Sequence, residues 1–276
     1  MIKRWIALIL SAVIFCGAAG CSRLSGEEET EETATSRRTV RVTVPEGFTV
    51  YQIAKLLEEK QVCSAEDFIE AANNPPEGND FSSGIGNPGE RPFLLEGYLF
   101  PDTYDFYVGE AAPKALGRFL KNMKSKLTPE YYERAEELGY SMDEILTIAS
   151  IIQEEAGFPA EDKKVASVLH NRLSSKSFPR LQFNVTFEYL DKSVEPVFTG
   201  ARKKYDGLYN TYVKKGLPAG PITNPGKISI EAALYPEDTD YYYFFTYAGF
   251  NYYYSETYEE HSREYAKRRN WTTPTG

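Results

Sequence analysis

Cysteine and histidine are scarce here, with three cysteines and two histidines among 276 residues. Cys16 and Cys21 belong to an apolar N-terminal stretch, so Cys63 has no partner and a disulfide framework is excluded. His170 and His261 stand without a cysteine pair. That argues against a metal site and a metal-dependent hydrolase, and no cofactor is expected. A Gly-x-Ser-x-Gly elbow is also missing, which deprives a serine hydrolase of its usual mark. Positive charge is in deficit: the formal charge is -9, so nucleic acid is not an expected partner. Tryptophan is rare at 2 residues, yet Tyr and Phe number 21 and 16 and cluster at Tyr241–Phe245 and Tyr252–Tyr254. Such runs read either as strands with polar tips or as a surface that stacks on sugar rings.

The one long apolar run is N-terminal. Lys3 and Arg4 precede Trp5–Phe15, and Ala18-Ala19-Gly20-Cys21 closes the stretch as a small-residue cleavage site. Residues 1–20 therefore read as an export signal. Cys21 looks like a lipobox cysteine whose lipidation would tether the mature chain to the outer face of the bacterial cell membrane. An uncleaved single-pass anchor is the competing reading, although the run is short for one. Residues 21–38 are rich in Ser, Thr and Glu and read as a flexible acidic tether.

With 42% hydrophobic residues the remainder can bury a core. Val40, Val42 and Val44 alternate as a strand; a helix opens at Thr49, with Gln52 as its capping-box partner, and a second follows Ser64. This β-α-α unit over 39–73 is too small to stand alone. Residues 74–92, rich in Pro, Gly and Asn, read as a linker, and a larger domain spans 93–270. It opens as extended chain over 94–104. Helical patterns follow at about 111–126, 129–138, 141–156 and 161–174, then near 228–234 and 257–269, with strands at Leu181–Phe183 and in the tyrosine runs. Segregated helices and strands imply an α+β fold.

The helix over Ser141–Gly157 carries the sharpest chemistry. Ser141 and Glu144 form a capping box. At 3.6 residues per turn Ile145, Ile148, Ala149, Ile152 and Ala156 share a face, and Glu155 falls at its margin. Glu154 points the other way, with Asp143, Thr147 and Ser150. Partial burial and the negative end of the helix dipole would both raise the Glu155 carboxyl, as a general acid near neutral pH requires. If the helix rolls slightly, Glu155 is instead a surface residue.

Leu95-Glu96-Gly97-Tyr98-Leu99-Phe100-Pro101-Asp102-Thr103-Tyr104, Ala149 to Glu155, Val165 to Leu173, Tyr209-Asn210-Thr211-Tyr212 and Gly216 to Gly226 occur in the order found in the YceG-like, MltG-type endolytic murein transglycosylases, which the chain resembles from about residue 40 to 265. The resemblance implies a YceG-like catalytic domain with a LysM-like subdomain at 39–73 docked on it. It implies cleavage of the β-1,4 bond between N-acetylmuramic acid and N-acetylglucosamine within glycan strands, leaving 1,6-anhydro ends. Its implied partners are peptidoglycan, the membrane, and the cell-wall synthases of division or elongation. A catalytically weak peptidoglycan-binding scaffold of the same fold is the alternative reading.

By the same resemblance the catalytic glutamate is Glu155, whereas Gln153 and Glu154 occupy variable positions. Gln182 and Asn184 either hold sugar and orient Glu155 or cap a turn. Asn184 stands where Asp is frequent, which leaves the implied mechanism with a single acid. Tyr209, Asn210 and Tyr212 are candidates for the glycan, with loop support as the other role for Asn210, and His261 is a further cleft candidate. Glu96, Asp102 and Arg172 read as scaffold residues, with a buried ion pair or binding of the peptide stem as the other roles open to them, and His170 reads as a packed histidine. Tyr252 stands where the family often has His, which counts against a catalytic role there.

Overall fold

Alternation of Val40 and Val42 with exposed Thr39, Arg41 and Thr43 makes β1 (Thr39–Thr43), whose ladder groups require a partner strand. The partner is β2 (Thr103–Tyr107), antiparallel from Thr39 opposite Tyr107 to Thr43 opposite Thr103. Val40 faces Phe106 and Val42 faces Tyr104 on the core side, while Arg41 pairs with Asp105 on the other at 2.9 Å. This computed structural model describes residues 38–248 and 251–269. The expected signal at 1–20, the Cys21 lipidation site and the tether up to residue 37 lie outside the described residues.

Between the two strands lie α1 (Val50–Glu59) and α2 (Ala65–Asn73). The capping box at the start of α1 is complete, with the Gln52 N–H bonded to Thr49 Oγ1 and the Thr49 N–H to Gln52 Oε1 at 2.8 Å. The β-α-α unit thus closes as β-α-α-β, with its fourth element drawn from beyond the 74–92 linker. All described residues belong to one unit that begins at Arg37. Of the extended chain expected over 94–104 only Thr103 and Tyr104 are strand, and the residues before them form turns and bends that lead into β2. Gly97 there has φ +88, and a Cβ on it would lie 2.5 Å from Pro221. Only glycine fits that approach.

The larger part is built on α5 (Met142–Glu155), flanked by α4 (Pro129–Leu138), α6 (Asp162–Ser174) and α9 (Lys227–Leu234), while α3 (Ala112–Lys126) packs on α2. Helices α4, α6 and α9 pack directly on α5. The side of α5 on which Asp143, Thr147 and Ser150 lie is as buried as the apolar side. Each polar group there has a partner: Asp143 pairs with Arg91 and accepts from Tyr98, Thr147 donates to the Asp143 carbonyl at 2.8 Å, and Ser150 accepts the Ile222 N–H at 3.0 Å. The sequence reading of that side as the outward one is therefore corrected.

The fold is α+β, as expected. β3 (Tyr243–Tyr247) and β4 (Asn251–Ser255) are the strands anticipated from the tyrosine runs; they pair antiparallel, and α10 (Tyr258–Arg268) packs against them. No strand forms at Leu181–Phe183. Gln182 takes a left-handed φ of 60, so the extended path breaks, and only the isolated bridge Arg180 to Gly216 remains. Two helices not foreseen follow, α7 (Val185–Tyr189), continued by a π-helical turn, and α8 (Ala201–Tyr209).

Glu96 ties these parts together. Its buried carboxyl accepts from the Val50 N–H and Asn224 Nδ2, each at 2.9 Å, and from the Tyr189 hydroxyl at 3.1 Å. Burial outweighs those donors and pushes its pKa up to about 8. Asn224 also accepts the Leu99 N–H at 2.8 Å and donates to the Phe48 carbonyl at 2.8 Å. The glycine-proline segment that ends at Gly226 thereby fastens the start of α1 to the helical core. Asp102 accepts from Asn122 at 3.0 Å, and His170 on α6 meets the Ala233 carbonyl at 2.9 Å.

Candidate active site

Glu155 is the last residue of α5, and the chain leaves the helix immediately after it. Tyr252 on β4 holds that end. Its hydroxyl accepts the Gly157 N–H at 2.6 Å and donates to the Glu155 carbonyl at 3.0 Å. The backbone on both sides of the glutamate is thus fixed by one phenol, while its carboxyl enters a groove of about 490 Å³. The groove is floored by α5 and α6 and walled by the Gln182–Glu188 segment, Tyr212 and β3.

Glu155 is partly buried, and its carboxyl is pushed up to about 7. Desolvation is the largest cause; the Arg172 charge opposes it, and Glu188 and Glu154 add to it. Among the described residues no group donates a hydrogen bond to this carboxyl. It is therefore half protonated near neutral pH and free to meet a ligand.

Arg172, 7% exposed, comes from α6. Its Nε donates to the Tyr242 carbonyl at 2.7 Å, and its guanidinium lies 5.1 Å from the Phe183 ring centre and 5.8 Å from that of Tyr243. Burial lowers it to about 10, so it keeps its proton at neutral pH. Arg172 is anchored by carbonyls and rings, and forms no pair with Glu96 or Asp102.

Three sequence candidates share the groove with Glu155: Gln182, Asn184 and Tyr212. The Tyr212 hydroxyl donates to Asn184 Oδ1 at 2.8 Å. The side chain of Asn184 does not cap α7. His261 lines an adjoining cavity of about 650 Å³ that shares Arg172, Gln182, Tyr212 and Phe244 with the groove. Burial holds the His261 imidazole below its ordinary pKa.

Two candidates are elsewhere. Tyr209 is 0% exposed, with its ring packed 5.5 Å from Tyr189, so it cannot stack on a ligand. Asn210 donates to Asp206 at 3.1 Å and accepts the Tyr212 N–H at 3.0 Å, the loop-supporting role.

The YceG-like family matches residues 22–267 of the chain. The chain belongs to this family. It is 33% identical over 236 residues to an endolytic murein transglycosylase of Bacillus subtilis, covering 81% of this chain and 63% of that protein. A protein of the same description from Streptococcus pneumoniae is 29% identical over 250 residues, covering 83% of this chain and 44% of the relative. The chain therefore spans less than two thirds of the length of these curated relatives. The crystal structure of a putative YceG-like protein from Listeria monocytogenes superimposes with a TM-score of 0.67 at 31% identity, covering 81% of this chain and 75% of that one.

In this family member several groove residues escape a reading of the sequence. Glu188, which the sequence reading does not single out, brings a second carboxyl group to the lining of the Glu155 groove. Glu154 keeps more than a third of its surface exposed, yet its carboxyl borders a small polar cavity of about 90 Å³ with Thr49, Lys192 and Thr223, and desolvation raises its pKa. Glu154 is less solvated than the helical wheel implies. Gln153 serves the scaffold: its Oε1 accepts the Gly226 N–H at 2.9 Å. No metal-binding group of His, Cys, Asp and Glu occurs among the described residues.

Proposed function

We propose that this chain is an endolytic lytic transglycosylase of peptidoglycan, with Glu155 as both acid and base. The observation that carries the reading is the Glu155 carboxyl itself: partly buried, raised to about 7, without a hydrogen-bond partner among the described residues, and open to a groove. In its protonated form it gives its proton to the glycosidic oxygen as the bond from C1 of N-acetylmuramic acid breaks. The resulting carboxylate then takes the proton of the 6-hydroxyl on the same sugar, whose oxygen closes on C1. One bond breaks, one forms, the proton returns to Glu155, and no water is consumed.

Gln182, Asn184 and Tyr212 line the path of the strand and offer amide and phenol groups to N-acetyl and hydroxyl substituents. His261 marks the continuation of that path. The β-α-α-β unit is read as LysM-like, adding hold on the glycan. On this reading the N-terminal run and Cys21 are a lipid tether that holds the domain outside the bacterial cell membrane, where nascent strands emerge and cell-wall synthases work. Incubating the full chain with uncrosslinked glycan strands tests the reading. Shortened strands with internal cuts are expected, whereas intact strands that co-sediment with the protein would support the binding scaffold instead.

A further inference from the structure

The Glu155 groove contains a charged side chain that the proposed reaction does not use. Glu188 lies on α7 four residues after Asn184, so both stand on one side of that short helix, and both border the cavity of Glu155. Glu188 also borders the smaller cavity in front of Glu154, which places it at the junction of the two. Helix α7 packs directly on α5. The Glu188 carboxylate accepts from Lys192 Nζ at 2.6 Å. Lys192 borders the Glu154 cavity but not the Glu155 groove, and its side chain is 73% exposed, so water screens much of its charge.

The groups that face Glu155 can be named element by element. Arg172 comes from α6, Glu154 from α5 itself, Glu188 from α7 and Tyr265, which lines the same groove, from α10, while Tyr212 and Tyr252 bring phenols from the loop after α8 and from β4. Both phenols are raised above their ordinary range and are neutral at pH 7. Arg172 cannot swing away, because its guanidinium is bonded to the Tyr242 carbonyl and packed on aromatic rings. Left alone it would draw Glu155 towards the carboxylate, the wrong form for an acid.

We propose that Glu188 is a positioning residue: from the junction of the two cavities its negative charge offsets Arg172 and keeps Glu155 loaded with its proton between turnovers. This rests on the reading of Glu155 as the acid of the groove. The test uses the full chain carrying Glu188→Gln and, separately, Asn184→Asp with Glu188→Gln, which moves the carboxylate back one helical turn within the same groove.

Carboxyl carbon NMR reads the titration of Glu155 without requiring activity, and the pH profile of strand cleavage reads it in turnover. In Glu188→Gln the Glu155 midpoint is expected to fall by about half a pH unit or more, and the alkaline limb of cleavage to move with it. The double variant is expected to return both towards the wild-type position. A Glu155 midpoint unmoved in Glu188→Gln overturns the inference, even if the rate drops at every pH, since that would be a structural effect. If the midpoint moves but the wild-type chain cuts no strands, the inference stands and the proposed activity fails.

Discussion

Glu155→Gln is expected to slow glycan cleavage by about a thousandfold, the scale of losing a positioned proton donor. The amide has the same size but no acidic proton to give and no basic carboxylate to take one back. Folding should not suffer, because the Glu155 carboxyl has no hydrogen bond to lose among the described residues. Stability should in fact diverge with pH. The folded pKa, about 7, lies above the ordinary carboxyl value of 4.5. The protonated carboxyl therefore contributes stability below the unfolded value that is lost as pH rises through about 7, and the Gln variant should melt higher than wild type at pH 8 but not at pH 4. The proposed mechanism needs the protonated acid, so wild-type activity should fall as pH rises past about 7. Glu154→Gln should keep activity within a few-fold. An active Glu155→Gln variant beside a dead Glu154→Gln variant would transfer the acid to the neighbouring cavity.

Asp143→Ala is expected to destabilise the fold by about 3–5 kcal/mol, read as a shift in the denaturant midpoint. The Arg91 and Asp143 side chains are 2% and 5% exposed. Asp143 also accepts the Tyr98 hydroxyl at 2.7 Å and the Gly86 N–H at 3.2 Å. Removing the carboxylate leaves a buried guanidinium without its counter-charge and strands the Tyr98 donor. The exposed pair Arg41 with Asp105 provides the contrast, since water screens it and breaking it should leave the denaturant midpoint nearly where it was. A loss below about 1 kcal/mol in Asp143→Ala would mean that water reaches Arg91 on the mutated side.

Local rules were enough to locate the helix that ends in Glu155. Its capping box is there, with the Ser141 N–H bonded to Glu144 Oε2 at 2.8 Å and the Glu144 N–H to Ser141 Oγ at 3.2 Å. Glu155 sits at the edge of the buried side, as periodicity implies. The opposite side misleads because Asp143, Thr147 and Ser150 read as outward polar residues, whereas distant segments bury and satisfy them. Arg91, Tyr98 and Ile222 supply those partners, and nothing in a 3.6-residue repeat announces them. The same limit hides the pairing of β1 with β2, some sixty residues on, although each strand alternates legibly. Tyr209 was readable as an aromatic on a motif but not as a core residue, because its burial depends on how α8 packs. Glu188 was invisible for a related reason: α7 is five residues long, too short for periodicity to reveal which side meets the groove. Gln182 breaks the expected strand through one left-handed residue, a choice of the backbone that composition does not encode.

The central claim, that Glu155 works as acid and then base without water, is tested most directly by digesting uncrosslinked glycan strands in oxygen-labelled water and weighing the new ends. The account predicts ends lighter than the hydrolytic product by one water and free of label, lost in Glu155→Gln. Labelled reducing ends from the wild-type chain would contradict it and make the protein a hydrolase.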